Sequence, residues 1–463
     1  MANNTGKTPS QRSNKFFSSK IGLVMATVGS AVGLGTIWRF PAVAQAGGGS
    51  AFLIIYIGCI FLLGIPVMLS EFAVGRAGHT DAVSAYKKLS PGTKWYLLGG
   101  MGVFTSLLIT IFYMVVAGWT LEYLMQSITG ELFEGIGNSD AEMTAAFNAK
   151  MGKYITSDWP PVINTVLIIV INIFILLGGV KKGIERMANF AMPMLFVLML
   201  VLMGVTLSLP GASEGVSYFL SPDFSKVTPG VFISALGQAL FSLSLGMGIL
   251  VTYASYYPAD TNLTRTSGIV SSLTLLVAIM MGLIIFPAVT AFGIADHEMA
   301  GTTLVFVTLP EVFACMPGTQ YWAVVFFSLL LLAALTSTVS IAEPTIAYVD
   351  DRFRTGRRKA TLIVLLPMLI LSSICAMSFG SLSSVTVRGF NIFETLDFIT
   401  NNILLPLVAI GGCVYVGWFA PRDLLKNQLT NNGRLKNSLA PAVTFTLRYI
   451  APAAILAIMI SSL

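Results

Sequence analysis

Long apolar stretches without charged residues recur from one end of the chain to the other. A helix needs about 20 residues to cross the ~30 Å hydrocarbon core of a bilayer, and about eleven stretches meet that requirement. They lie at about 21–38, 40–70, 95–121, 159–180, 187–213, 227–259, 266–295, 312–342, 360–387, 398–421 and 441–463, and the last is the weakest because it contains Arg448. Because 55% of the residues are hydrophobic and 10% are charged, a water-soluble domain is excluded. We therefore predict an all-α integral membrane protein with about eleven transmembrane helices.

Basic residues predict the orientation of the chain, since short loops rich in Lys and Arg stay on the cytoplasmic side. With the N-terminus inside the cell, about 21 of the 27 basic residues fall in cytoplasmic segments. The first helix continues as structure and lacks the cleavage site of a signal peptide. We expect a multi-pass protein of the inner (plasma) membrane with a cytoplasmic N-terminus. The formal charge of +6 then reflects topology and contact with the lipid bilayer, and neither a nucleic acid nor an obligate protein partner is indicated.

The reactive side chains of the sequence do not form a catalytic pattern. Four cysteines lie in or beside apolar segments without the spacing of metal ligands, and they are Cys59, Cys315, Cys375 and Cys413. We interpret them as packing residues. Without a nucleophile or metal constellation, the sequence argues against an enzyme.

Two glycine-rich runs interrupt the first and the sixth predicted helix near the middle of the membrane. They read GSAVGLGT at 29–36 and SLSLGMG at 242–248. Each glycine costs a helix about 1 kcal/mol relative to alanine. Close helix packing is one explanation for such runs. Unwound backbone lining a binding site is the other, because free amides and carbonyls in lipid are too costly.

The two runs occupy corresponding places in two halves of five helices each. An odd number of helices per half sends the second half into the membrane from the other side. Paired broken helices in such an inverted repeat predict a midplane site, where half-helix N-termini face an anion and free carbonyls hold cations. We predict a cytoplasmic tail at 1–19, five-helix repeats at 20–213 and 214–421, and a cytoplasmic loop with an additional eleventh helix at 422–463.

Several motifs resemble those of the neurotransmitter:sodium symporter family, in its bacterial amino-acid transporter branch. They are GSAVGLGTIWRFP at 29–41, GGGSAF at 47–52, AGWTL at 117–121, GQALFSLSLG at 237–246 and LTS at 335–337. They follow the family's order along nearly the whole chain. The resemblance implies a five-plus-five inverted repeat with broken helices one and six. It also implies alternating access and symport of a neutral amino acid with sodium, with eleven helices as in many bacterial members.

The resemblance implies two sodium sites of unequal quality. The family's second site would be formed by Gly29, Val32, Ala333, Thr336 and Ser337. The first site would be formed by Ala31, Thr36, Ser242 and Thr274, with Thr274 aligned to within one residue. At two of these positions, Thr36 and Thr274, the family carries an amide or carboxylate. We therefore predict one strongly bound sodium and a weak or absent second one.

Chloride dependence stays open at this level. Tyr56, Gln238 and Ser242 match the family's chloride-lining positions. No carboxylate that could replace chloride lies near Val277. Either chloride binds or its charge is not needed, and a missing first sodium favours chloride independence.

The resemblance also assigns a substrate pocket. Its residues would be Ala31, Gly33, Leu34, Gly35, Ile109, Tyr113, Phe241, Ser242, Ser244, Met247, Gly248, Ser337 and Ile341. Gly33 stands where monoamine carriers place an aspartate, which favours a ligand that brings its own carboxylate. The residues predicted to surround the side chain of the ligand include no charged residue, so we expect the ligand to be a neutral, hydrophobic or aromatic amino acid.

Two gates follow from the same alignment. The outer gate would be formed by Arg39, Asp397, Tyr113 and Phe241, and the inner gate by Phe17, Ser255, Tyr256 and Asp351. The family's inner-gate arginine and tryptophan are replaced by Asn14 and Phe17, with Arg12 and Lys15 nearby. A substitute cation could close this gate, or the inward-facing state could be more populated. We favour the second interpretation.

Two other functions remain as alternatives. A proton-coupled carrier of the same fold needs a titratable residue in place of sodium, and no Lys or Glu lies beside 29–36. A non-transporting amino-acid sensor needs a signalling module, which the short tails do not supply.

Overall fold

The structure is a computed structural model that describes residues 17–137, 139–293 and 301–462. Within these ranges the chain forms no β-strand, and an isolated bridge joins Val387 to Phe390. Nine continuous helical runs are long and apolar enough to span a membrane. They are Ser50–Gly78, Tyr96–Thr129, Trp159–Leu177, Val180–Leu207, Leu263–Ala291, Thr319–Phe353, Arg357–Phe379, Ile392–Phe419 and Ala440–Ser461.

Two interrupted spans complete the set. The first consists of Lys20–Ala31 and Gly35–Ala46, which meet at a bend of 56°. The other consists of Pro229–Ser242 and Ile249–Ser255 and lies sixth in chain order. Counted from the N-terminus, the described residues therefore form eleven spans, of which the first and the sixth are broken. The predicted all-α membrane fold is confirmed.

The boundary between the first two spans differs from the predicted one at residues 38–40. The first span continues past Arg39 to Ala46, and the chain turns at Gly48 and Gly49, whose φ angles are 85° and 67°. The apolar stretch ended at Arg39 only because that residue is charged. The helix accommodates the charge because the guanidinium lies over the ring of Phe241, 5.0 Å from its centroid.

The two broken spans lie at the centre of the bundle. The N-terminal half of the first, Lys20–Ala31, packs against the fifth, seventh and eighth spans. Both halves of the sixth pack against the second span, and the third and eighth spans run side by side. Both breaks are thus surrounded by protein, which is the setting in which irregular backbone is tolerated at membrane depth.

Helices outside the spans cover the end of the bundle that carries Arg39. The helix Asp140–Thr156 begins with a capping box between Ser139 and Glu142. The helical segment Gly301–Ala314 places Phe306 against Tyr123, with ring centroids 4.8 Å apart. Thr144 of the helix Asp140–Thr156 donates a 2.6 Å hydrogen bond to Glu311 of the segment Gly301–Ala314, and this bond joins the two elements.

Substitution at a close helix crossing tests this packing. A Cβ on Gly75 of the second span would overlap the carbonyl oxygen of Val251 in the sixth, whereas a Cβ on Gly58 would meet nothing within 4 Å. We expect Gly75→Ala to lower the free energy of unfolding by about 1–3 kcal/mol through overpacking. Gly58→Ala, on the same helical run, should leave it unchanged or slightly raised. Apparent melting temperatures of the purified variants in detergent measure both, and an equal loss in the two would contradict the crossing.

Candidate ligand site between the two broken helices

The breaks of the first and sixth spans lie against each other. The hydroxyl of Ser244 donates a 2.6 Å hydrogen bond to the carbonyl of Ser30, and the amide of Gln238 donates to the carbonyl of Gly35 at 3.0 Å. The sixth span leaves the helix because Ser244, Gly246 and Gly248 take left-handed φ angles of 53°, 78° and 70°. Glycine adopts such angles without a steric penalty, which explains the glycine-rich run.

The break of the first span redirects its backbone amides. In a continuous helix, the amides of Gly33 and Thr36 would bond the carbonyls of Gly29 and Val32. Here Gly33 donates to Ala31 at 3.2 Å, and Thr36 donates to Gly33 at 3.0 Å. The carbonyls of Gly29 and Val32 are therefore released from helical partners and become available to another group.

The eighth span faces these released carbonyls. A Cβ on Gly29 would lie 3.3 Å from Cβ of Thr336, so the two residues are in close contact. The Thr336 hydroxyl donates to the carbonyl of Ala333 at 2.9 Å, and the buried hydroxyl of Ser337 has no hydrogen-bond partner in the described part of the chain. These oxygens are the ligand type that a hard cation prefers. Gly29, Ala333 and Thr336 of the predicted second sodium site thus lie together, and their oxygens are of the kind that suits a sodium ion.

Residues predicted for the head of the substrate also meet at the break. The amide of Leu34 donates to the hydroxyl of Tyr113 at 3.0 Å. A Cβ on Gly33 would lie 2.9 Å from that hydroxyl and closer still to the hydroxyl of Ser337. A Cβ on Gly35 would overlap the ring of Phe241. Glycines at 33 and 35 thus let two hydroxyls and an aromatic ring approach the unwound backbone.

The predicted side-chain pocket is only partly brought together. Ile109, Met247 and Ile341 are 3%, 4% and 5% exposed, as apolar lining of a closed site requires. Gly248 lies elsewhere: a Cβ on it would come 3.4 Å from the backbone of Gly102 in the third span. The structure thus uses Gly248 for a helix contact.

The residues predicted for the first sodium site and for chloride are mostly engaged with protein. The Thr36 hydroxyl donates to the carbonyl of Ala31 at 3.1 Å. The amide nitrogen of Gln238 donates to the hydroxyl of Ser242 at 3.0 Å as well as to Gly35. Among the described residues, the buried hydroxyls of Tyr56 and Thr274 have no hydrogen-bond partner. The buried Oε1 of Gln238 also has no hydrogen-bond partner in the described part of the chain, so both engaged and unpartnered oxygens are found among these residues.

On the Arg39 side, the predicted gate residues are close to one another. Arg39 covers Phe241, and its charge interacts with that of Asp397. Asp397 is oriented by Asn401, whose amide donates to it at 2.6 Å. Phe241 in turn contacts Gly35, so the predicted outer-gate residues Arg39 and Phe241 lie next to the break of the first span.

On the opposite side, Phe17 closes the path with aromatic contacts. Its ring centroid lies 5.9, 6.3 and 6.2 Å from those of Tyr253, Tyr256 and Tyr257. Its amide donates to the carbonyl of Tyr256 at 3.3 Å. Arg12, Asn14 and Lys15 lie outside the described residues, so the proposed substitute cation and the resting population of states stay predictions.

The other two inner-gate residues bond to their surroundings. Asp351 accepts from the hydroxyl of Thr80 at 3.0 Å and from the amide of Asp81 at 3.1 Å. The Ser255 hydroxyl donates to the carbonyl of Thr252 at 2.6 Å. Asp351 therefore fastens the loop after the second span to the end of the eighth.

Among the buried carboxylates that were not predicted from the sequence, three join elements close to the breaks or to the Phe17 side. Glu71 accepts from the amide of Gly246 at 2.7 Å. Glu343 pairs with Arg357 at 2.5 Å and accepts from Tyr256 at 2.7 Å. The apolar stretches were ended at residues 70 and 342, one residue before each of these two carboxylates, although the helices continue. Ionisable residues at membrane depth are functional candidates, and that signal was available.

Glu185 is the third. It accepts from the amide and the hydroxyl of Ser18 at 2.7 Å, and from those of Ser19 at 3.1 and 2.9 Å. These bonds fix the start of the first span to the start of the fifth. The two segments are 167 residues apart in the chain, so no local sequence motif connects them.

The chain is a polytopic helical bundle whose two broken spans meet near the middle of the bundle. Released carbonyls and half-helix ends face each other there. This arrangement is characteristic of secondary transporters. The sequence profile of the Sodium:neurotransmitter symporter family matches residues 14–150 and 142–463. The chain belongs to this family, and it is accordingly a sodium-dependent transporter and not an enzyme.

Individual relatives agree with the profile. An uncharacterized sodium-dependent transporter of Bacillus subtilis, YhdH, is 36% identical, with 96% of this chain and 97% of the relative covered. A counterpart in Haemophilus influenzae is 34% identical, with 98% and 100% covered. The crystal structure of MhsT in complex with L-phenylalanine matches with a TM-score of 0.85 and 39% identity, covering 97% of this chain and 99% of that one.

The Phe17 contacts generate a testable prediction. Phe17→Ala removes three aromatic contacts, each contributing about 0.5–1.5 kcal/mol, and should open this side of the molecule. Ala26 is buried on this side of the first span, and Ala26→Cys is introduced into a protein from which the four native cysteines have been removed. The rate at which maleimide labels this single cysteine then reports how accessible the path is. We expect labelling roughly tenfold faster than in the parent. Phe224→Ala, a side chain that is 58% exposed, serves as the control. Unchanged labelling would show that Phe17 does not close the path.

Proposed function

We propose that the protein is a symporter that carries a neutral, hydrophobic or aromatic amino acid together with sodium by alternating access. The observation that carries the proposal is the chemistry around Gly33. A backbone amide, two hydroxyls and released carbonyls converge there with apolar side chains nearby, and the predicted lining contains no acidic or basic side chain. An amino acid brings both its own carboxylate and its own ammonium group to such a site.

The neighbourhood of the break suits the two ends of an amino acid differently. The positive end of the half-helix that begins at Gly35 favours the carboxylate, as does the Tyr113 hydroxyl. The carbonyls on the other side of the break favour the ammonium group. The apolar lining by Ile109, Met247 and Ile341 favours an apolar side chain. The phenylalanine held by MhsT supports the same substrate class.

For sodium, we propose one strongly bound ion between Gly29, Val32, Ala333, Thr336 and Ser337. The released carbonyls and the unpartnered Ser337 hydroxyl support this assignment. We propose that the first site, at Ala31, Thr36, Ser242 and Thr274, is weak or absent and that transport does not require chloride. The engagement of Thr36 and Gln238 with backbone oxygens supports that part.

The membrane topology also stays part of the proposal. The N-terminus is assigned to the cytoplasmic side of the plasma membrane, which makes Phe17 an inner-gate residue and Arg39 an outer-gate residue. The excess of basic residues in segments on the Phe17 side supports this orientation.

A thermal-shift panel of the twenty amino acids tests the function. We expect phenylalanine, leucine or methionine to raise the apparent melting temperature in sodium and not in potassium. A ligand at about 100 times its Kd raises the free energy of unfolding by roughly 2.7 kcal/mol through mass action, and a thermal-shift assay resolves a change of this size. Stabilisation by none of the amino acids would reject the substrate class. Equal stabilisation in potassium would favour a proton-coupled carrier.

The sodium assignment has its own test. Thr336→Val removes one ligand of the second site. We expect the free energy of sodium binding to become less favourable by about 1.5–3 kcal/mol, which corresponds to roughly tenfold to hundredfold weaker sodium activation. Thr338→Val, whose buried hydroxyl bonds only the carbonyl of Leu335 in its own helix, should leave activation unchanged. The sodium-activation curve of the parent protein should have a Hill coefficient near one. A value near two would contradict the weak first site.

A further inference from the structure

The buried carboxyl group of Glu71 lies where the sixth span is unwound. Glu71 is 5% exposed, and its Oε1 accepts a 2.7 Å hydrogen bond from the amide of Gly246. Gly246 has a φ of 78°, and a Cβ on it would come 2.6 Å from the carbonyl oxygen of Leu405. The second and tenth spans therefore hold this part of the break from two sides.

The second oxygen of Glu71 has no hydrogen-bond partner among the described residues. An ionised carboxylate with one free oxygen is costly to bury, since its charge needs a cation or several donors. Within residues 17–137, 139–293 and 301–462, the Gly246 amide is the one donor bonded to Glu71. A neutral carboxylic acid avoids this cost because it carries its own hydrogen-bond donor.

The groups around Glu71 do not compensate a negative charge. Tyr86 of the helix Ala82–Leu89 and Cys413 of the tenth span interact with it, and both are neutral when protonated. Arg76, on the same span, donates to the carbonyl of Thr261 and to Gln428. Several other charged or titratable groups on neighbouring elements have partners of their own, among them Lys88, Tyr253, Tyr257, Arg448 and His79.

A small cavity adjoins Glu71. It measures about 10 Å³, close to the space that one water molecule needs. Tyr86, Gly102, Gly248 and Gly412 contribute to its walls. Tyr86 also contacts Tyr415, with ring centroids 4.8 Å apart, and the hydroxyl of Tyr415 shares a 2.9 Å hydrogen bond with the half-buried Ser90. Polar groups thus lead from the cavity towards the surface on the Phe17 side.

We propose that Glu71 is a proton-binding site. The neutral carboxyl accepts from the Gly246 amide with one oxygen and donates through the other into the cavity, and this fastens the unwound segment of the sixth span to the second. Protons exchange with the Phe17 side past Tyr86 and Ser90. Loss of the proton leaves a buried charge that must draw in water or a cation, and the segment is released.

Infrared difference spectra of purified protein test the protonation state directly. At neutral pH, the parent should show the carbonyl band of a protonated carboxylic acid that is absent in Glu71→Gln. The band should persist in Glu122→Gln, a matched control in which the altered carboxylate is hydrogen-bonded to Asn164 and Gln126. A band missing from the parent overturns the proposal. A band present in potassium and absent in sodium identifies a cation site at Glu71 and overturns it as well.

Melting temperatures provide a second, independent readout. Glutamine reproduces the donor and the acceptor of a neutral acid, so Glu71→Gln should melt within a few degrees of the parent. Glu71→Leu, which leaves the Gly246 amide unpartnered, should melt well below it. If Glu71→Gln is as unstable as Glu71→Leu, the native group is charged and the proposal fails.

The pH dependence has a defined sign. A group that is neutral when folded and ionised when unfolded binds a proton on folding, so stability falls as pH rises. As pH rises above about 4.3, the ordinary pKa of a glutamate, the melting temperature of the parent should fall more steeply than that of Glu71→Gln. Parallel slopes would overturn the proposal. None of these measurements uses a substrate, so their outcome is separate from that of the amino-acid panel.

Discussion

Satisfaction of the polar backbone at the two breaks is the constraint on which the rest of this structure depends. A helix interrupted at membrane depth leaves amides and carbonyls that lipid cannot bond. Here each break uses groups from elsewhere: Tyr113 accepts from Leu34, Ser244 donates to Ser30, and Glu71 accepts from Gly246. The partners come from the second, third and sixth spans. The broken helices therefore exist only because the surrounding bundle is complete.

The same constraint produces the site. Satisfying every group of the first break would leave nothing for a ligand, but redirection of the Gly33 and Thr36 amides leaves the carbonyls of Gly29 and Val32 available. The eighth span adds hydroxyls next to them. A cation held there would join the first span to the eighth, so its binding favours one arrangement of the two halves. This is how a sodium gradient can act on the conformation of a transporter of this family.

The two ends of the molecule are closed by different interactions. The Arg39 side combines a cation over an aromatic ring with an acidic partner in the tenth span. The Phe17 side depends on aromatic packing, supported by the buried pair of Glu343 and Arg357 and by the bonds of Glu185 to the start of the first span. Carboxylates at this end hold backbone and hydroxyl donors from other helices. Several elements must therefore move together when it opens.

The sequence by itself determined the membrane class, about eleven helices and the positions of both breaks, since length, hydropathy and glycine content act locally along the chain. It also indicated Thr336, Ser337 and Tyr113, through motifs in family order. It misplaced the end of the first span, because the charged Arg39 looks like a boundary until Phe241 is seen beneath it. It contained Glu71 as an ionisable residue at membrane depth, but it could not reveal the bond of Glu71 to Gly246, which is distant in the chain, nor the bonds between Glu185 and Ser18. Only the tertiary structure decided these, because the cost of a buried charge depends on which donors and acceptors the folded chain brings to it.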